Sequence, residues 1–150
     1  MCVAALALLA ALFAGAGPAS TAYEDTLVGT EIVPVSSTEG TFVGVAAGQL
    51  PAAWRAQITH VRLATGPSVA ITGGTFVLVT PSHGKLTGAV TGGSVTVADS
   101  GSRCRDQKYT VVAVLTIGSF EGTLTHHRRT VFGHCLLYAA TIRGHGFFNA

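Results

Sequence analysis

Six histidines stand out in a chain poor in other chemically capable side chains. His126 and His127 adjoin Arg128 and Arg129, His134 precedes Cys135, His145 lies near the end, and His60 and His83 lie far upstream. Imidazoles suit general acid–base work, ligand orientation and metal binding. On an extended strand, adjacent residues point to opposite sides, so His126 and His127 reach one metal ion only across a bulge. There is no His-x-His pair and no acidic cluster, so no metal and no other cofactor is expected.

A different grouping follows if period-two alternation is carried along the extended runs. Where Phe120, Gly122 and Leu124 face inward, His126 and Arg128 continue that face, and the face that starts at Trp54 runs on to His60 and Arg62. Leu27, Gly29, Glu31, Val33 and Val35 share one side of an earlier run, and Tyr138 follows Leu136 on the last. A carboxylate beside His and Arg at one end of a sheet orients a ligand or moves a proton. The same residues serve equally as a structural polar network, because a buried charge needs a partner, and that account is favoured. Glu31, His60, Arg62, His126, Arg128 and Tyr138 are therefore the candidate ligand-binding residues, and no catalytic residue is assigned.

Eight extended segments must position these side chains. They are residues 26–35, 39–47, 54–64, 69–80, 86–97, 107–116, 120–131 and 136–147, separated by Pro-, Gly- and Ser-rich breaks, with a corner expected at Gly118-Ser119. No segment has helical periodicity. Nineteen glycines without a collagen period, set among many Thr and Val, also favour short strands over helices. Gly73-Gly74 and Gly92-Gly93, each inside a strand, mark bulges or sharp bends. Gly40-Thr41-Phe42, Gly74-Thr75-Phe76 and Gly118-Ser119-Phe120 repeat one pattern, a bend beside an aromatic that fills a core. Eight is a number of antiparallel strands that closes on itself, so the fold is expected to be an all-β, eight-stranded antiparallel barrel over residues 23–150. A two-sheet sandwich uses similar strands and stays the alternative.

The cysteines agree with that layout. If the last three strands form a meander, Cys104 before the first and Cys135 opening the third lie at the same sheet end, where one disulfide ties them across the middle strand. Residues 3–13 form an unbroken apolar run, followed by Gly15-Ala16-Gly17-Pro18 and Ser20-Thr21-Ala22. This is the layout of a secretory signal peptide over residues 1–22, although no Lys or Arg follows Met1. The run is short of the roughly 20 residues that a membrane span requires, so a secreted protein with no stable span after processing is expected. Cys2 falls in the removed segment, which leaves an even pair, as oxidising compartments favour.

Charged residues make up 11% of the 150, and the net charge is +2, too little to imply a nucleic-acid partner. There is no Gly-x-Ser-x-Gly elbow, phosphate-binding loop or dinucleotide fingerprint. The sequence carries no signal for an oligomeric state.

The segment Ile71-Thr72-Gly73-Gly74-Thr75-Phe76, followed by Leu86-Thr87-Gly88-Ala89, resembles the Gly-Gly-Thr-Gly-x-Phe and Gly-Ala pattern of the allene oxide cyclase and dirigent barrels. The glycine between Thr75 and Phe76 is missing, and Pro81-Ser82-His83 are inserted. The resemblance implies an eight-stranded antiparallel barrel with a largely apolar cavity, and no catalytic residue carries over. Two functions are expected from these readings. The preferred one is a secreted non-catalytic barrel that binds a small apolar ligand or another surface; the alternative is a dirigent-like cyclase or isomerase that guides a reactive intermediate.

Overall fold

The computed structural model of the protein describes residues 21–32, 37–62 and 67–149. Eight strands run in chain order: β1 (Ala22–Glu31), β2 (Glu39–Gly48), β3 (Ala52–His60), β4 (Ser68–Thr80), β5 (Gly84–Asp99), β6 (Gln107–Leu115), β7 (Gly118–Val131) and β8 (His134–Asn149). Each pairs antiparallel with the next, and β8 returns to β1, so the sheet is a closed barrel. The seam between β1 and β8 runs from Ala22↔Asn149 to Thr30↔Thr141. A single 3-10 turn, Ser102–Cys104, precedes β6. The barrel rather than the sandwich is therefore the fold.

Alternation dictates the closure. Tyr109, Val111, Ala113 and Leu115 on β6 are buried, whereas Lys108, Thr110, Val112 and Val114 face out. On β3, Trp54 and Ala56 are buried between exposed Arg55 and Gln57. The interior mixes large rings with Ala and Gly, as a small barrel requires if its filling is to fit. Phe42, Phe76 and Phe120, from the three repeated motifs, are all buried. Trp54 stacks on Phe76 at 6.1 Å and Phe76 on Phe148 at 5.4 Å, contacts that contribute about 0.5–1.5 kcal/mol each beyond area burial.

The glycine pairs sit where the ladders change register. One extra residue enters β4 beside Gly73-Gly74, opposite Thr59 and His60, and another enters β5 beside Gly92-Gly93. Gly74 (φ 145°) and Gly93 (φ 133°) adopt backbone conformations that side chains avoid, and a Cβ on either would lie 2.0 Å from a carbonyl oxygen of the neighbouring strand.

Several boundaries differ from expectation. β1 starts earlier than residue 26, because Ala22 to Asp25 pair with the end of β8; residues 33–35 of the expected strand lie outside the described residues. The signal-peptide expectation covers residues 1–22, of which 1–20 lie outside the described residues while Ala22 already pairs with Asn149 in β1; residues 63–64 of the third expected strand lie outside them too. The corner after β6 is Thr116-Ile117 rather than Gly118-Ser119. Leu115 pairs directly with Gly118, and Gly118 is already strand, pressed so close to β8 that a Cβ would lie 1.8 Å from the Phe147 carbonyl oxygen.

Both barrel ends are pinned. At the β2–β3 end, buried Asp25 accepts the Leu50 backbone N–H through Oδ1 (2.8 Å) and holds that turn down. At the opposite end, the sulfurs of Cys104 and Cys135 lie at bonding distance, with Cα atoms 5.5 Å apart. Cys104 ends the turn before β6 and Cys135 is the second residue of β8, so the bridge crosses over β7. The β7–β8 turn at Phe132-Gly133 has positive φ at both residues (50° and 79°). A bulky residue at the first of these positions costs about 1–2 kcal/mol.

Candidate functional site

A cavity of ≈ 70 Å³ lies inside the barrel. Trp54, Ala56, Phe76, Val111, Ala113 and Phe120 are among its apolar walls, and Glu31, His60 and His126 are its ionisable lining residues. These three come from the ends of β1 and β3 and from β7, where alternation carries the inward face towards the disulfide-bearing end of the barrel.

Glu31 and His126, 95 residues apart in sequence, meet in the interior. The His126 Nε2–H donates to Glu31 Oε2 at 3.1 Å, and both side chains are almost fully buried. Gly40 makes room for the carboxylate, since a Cβ there would lie 2.9 Å from Glu31 Oε1. Tyr109 packs its ring edge-on against His126 at 5.1 Å. Burial pushes the Tyr109 phenol above its ordinary pKa; the nearby Arg128 charge works against that shift and Glu31 adds to it. The phenol is therefore neutral at ordinary pH. His60 is half-buried, and its Nδ1–H donates to the Val61 carbonyl (2.8 Å), which leaves Nε2 as the acceptor of the neutral ring.

The remaining candidates separate. Arg128 continues the inward face of β7, half-buried beyond His126. Arg62 is exposed and lies past the end of β3, so it does not line the cavity. Tyr138 is on the outside: one extra residue enters β8 between the pairs His127↔Ala139 and Arg128↔Leu137, and that bulge turns Tyr138 away from the interior. Its ring packs 6.2 Å from the His127 ring, with the Arg129 guanidinium 5.2 Å from its centroid. Carrying strict alternation from Leu136 through a bulge misplaced it.

His126 and His127 do face opposite ways. The His127 Nδ1–H donates to Asp106 Oδ2 (2.8 Å), and the Thr141 hydroxyl lies 2.9 Å from His127 Nε2. This chain of carboxylate, imidazole and hydroxyl joins the β5–β6 connection to β7 and β8 on the outer wall. The Arg128 backbone N–H donates to Asp106 Oδ1 (3.1 Å). That bond and the one from His127 hold the Asp106 carboxyl below its ordinary pKa, against a smaller opposing push from burial. A group whose pKa is depressed by folding stabilises above its unfolded value, about 3.9, and loses that contribution as the pH falls. The stability difference between the wild type and Asp106→Asn is accordingly expected to shrink as the pH is lowered from about 5 to 3. Urea titrations across that range check it; a constant difference contradicts the link.

Among the described residues, no three His, Cys, Asp or Glu side chains are grouped as metal ligands would be. What the interior offers is an apolar recess with one hydrogen-bonded acid–imidazole pair and an acceptor nitrogen at its rim. Sequence reasoning overlooked two contributors. Tyr109 shares the face of Val111, Ala113 and Leu115, so alternation along β6 would have placed it inside. The Trp54 Nε1–H is buried and donates to no group among the described residues, a feature of packing with no sequence signal. Comparison of the chain with family models, with curated proteins and with solved structures returned no match.

Proposed function

We propose that the protein is an exported, non-catalytic β-barrel that takes a small, mainly apolar molecule into its interior and holds the polar head of that molecule at Glu31 and His126. The observation that carries this reading is the composition of the cavity wall, apolar throughout except where a buried acid–imidazole pair and His60 meet at one end. Binding sites are built in this way, with an apolar body for affinity and a few polar groups for orientation. Export accords with the sulfur bridge and with the apolar run at residues 3–13.

The cavity size bears on the ligand class. An apolar cavity of about 150 Å³ takes up benzene, so ≈ 70 Å³ suits a short aliphatic chain rather than a large folded intermediate. That comparison favours a binder over a dirigent-like cyclase. Short unbranched alcohols and the matching carboxylic acids are suitable probes, and Trp54, the single tryptophan, lies in the wall and reports occupancy by its fluorescence. Saturable binding is expected, stronger for the alcohol than for the acid, since Glu31 repels a carboxylate. Ala113→Leu fills the recess and is expected to abolish the response while the protein stays folded. No saturable response to any probe, or an unchanged response in Ala113→Leu, refutes the proposal.

A further inference from the structure

The hairpin formed by the end of β7 and the start of β8 extends beyond the barrel wall. The ladder between β6 and β7 stops at Gln107↔His126, and the ladder between β8 and β1 stops at Thr30↔Thr141. Residues 128–138 therefore pair only with each other, from Arg128↔Leu137 to Val131↔His134. Such two-stranded ribbons are marginal alone, and this one is tied at its base by Asp106 and, near its tip, by the disulfide from Cys135, which pairs with Thr130, to Cys104.

Its composition does not suit a ribbon standing in water. Phe132 at the tip is 98% exposed, and Leu136, Leu137 and Tyr138 are exposed behind it. Phe132 occupies the first central position of a turn with positive φ at both centres, where Asn, Asp or Gly is favoured, so the aromatic is kept there against the backbone's preference. Among the described residues it makes no ring contact. Arg128 and Arg129 lie on the ribbon, with Arg129 over the Tyr138 ring, and no Asp or Glu occurs anywhere after Glu121. At the same end of the barrel, exposed Ile32 and Val61 follow β1 and β3.

We infer that the β7–β8 ribbon docks on an anionic lipid surface, with Phe132 and its leucine neighbours entering the interfacial layer while the exposed Arg129 meets the lipid phosphates. An exposed apolar tip on a basic ribbon, with the one carboxylate at its foot, Asp106, already engaged by His127 and the Arg128 N–H, matches that surface in both its layers. The same charge argument disfavours a basic protein groove, and contact between copies of this chain is an outcome of the test below. The inference stands apart from the cavity proposal and requires no ligand.

The test is flotation of the oxidised protein with vesicles of equal parts phosphatidylcholine and phosphatidylglycerol, and with phosphatidylcholine alone. The wild type is expected to float with the anionic vesicles only, and to be released by added salt. Phe132→Asn supplies a residue that the turn prefers, so its thermal stability is expected to be equal or higher while partitioning falls about tenfold or more. Arg129→Gln is expected to weaken partitioning several-fold. Flotation with neither vesicle, equal flotation with both, or flotation unaffected by Phe132→Asn overturns the inference. So does a dimer in sedimentation that Phe132→Asn abolishes, which would assign the tip to contact between copies.

Discussion

Replacing Glu31 with alanine is expected to destabilise the protein by about 3–5 kcal/mol, as does removing one member of other buried pairs. The cost arises less from the lost hydrogen bond than from what stays behind. His126 is held between Tyr109 and the cavity wall, and Glu31 is the acceptor of its Nε2–H among the described residues. An unsatisfied donor in that position bears its desolvation penalty uncompensated. The double replacement Glu31→Leu with His126→Leu is expected to recover most of the loss, because two apolar side chains leave nothing unpaired. Urea denaturation of the wild type, Glu31→Leu, His126→Leu and the double variant in a double-mutant cycle, with Glu31→Ala beside them, measures this directly. Additive effects, or a cost below about 1 kcal/mol for Glu31→Ala, would mean that the pair is solvated and not coupled.

Removing the disulfide has an effect of similar size but of different origin. The bridge spans 31 positions, and in the chain-entropy model the loop it closes stabilises by about 3–4 kcal/mol. Cys104→Ser with Cys135→Ser is therefore expected to lower Tm by roughly 10–20 °C. The slope of unfolding against urea is expected to rise, because the unfolded chain is released from its cross-link and expands. Local protection should fall unevenly. Residues 128–138 have no strand beside them except each other, so their amide exchange is expected to accelerate more than that of β3 or β4 in the barrel wall. An unchanged Tm in the double variant would show that the bridge constrains little.

Much of this architecture was legible in the chain because burial on a pleated sheet has a period of two. Val111, Ala113 and Leu115 betray their face without any knowledge of what they pack against, and the Gly-hydroxyl-Phe repeats mark three aromatics that do reach the interior. The same periodicity brought Glu31 and His126 to one place from opposite parts of the sequence. The pairing of Cys104 with Cys135 followed from counting strands, since a meander returns every second strand to the same end. Alternation fails where it is interrupted. Tyr138 lies outside because a bulge in β8 shifts the phase by one residue, and no residue type there announces it. Arg62 was assigned to an interior face that ends at His60, since how far a strand continues is decided by its neighbours. The volume of the cavity was beyond reach for a further reason: it depends on how Trp54, Phe76 and Phe120 pack, a property of three dimensions that a one-dimensional pattern does not carry.

The seam between β1 and β8 has a consequence for how the molecule comes into being. Ala22 and Asn149 are hydrogen-bonded neighbours separated by nearly the whole sequence, so the last ladder requires the largest loss of chain entropy. Neighbouring hairpins such as β4–β5 and β7–β8 can zip locally, but the cylinder stays an open, curled sheet with two raw edges until its final segment has emerged. During that interval the edges of β1 and β7 are templates for stray strands, an exposure that ends when the seam closes.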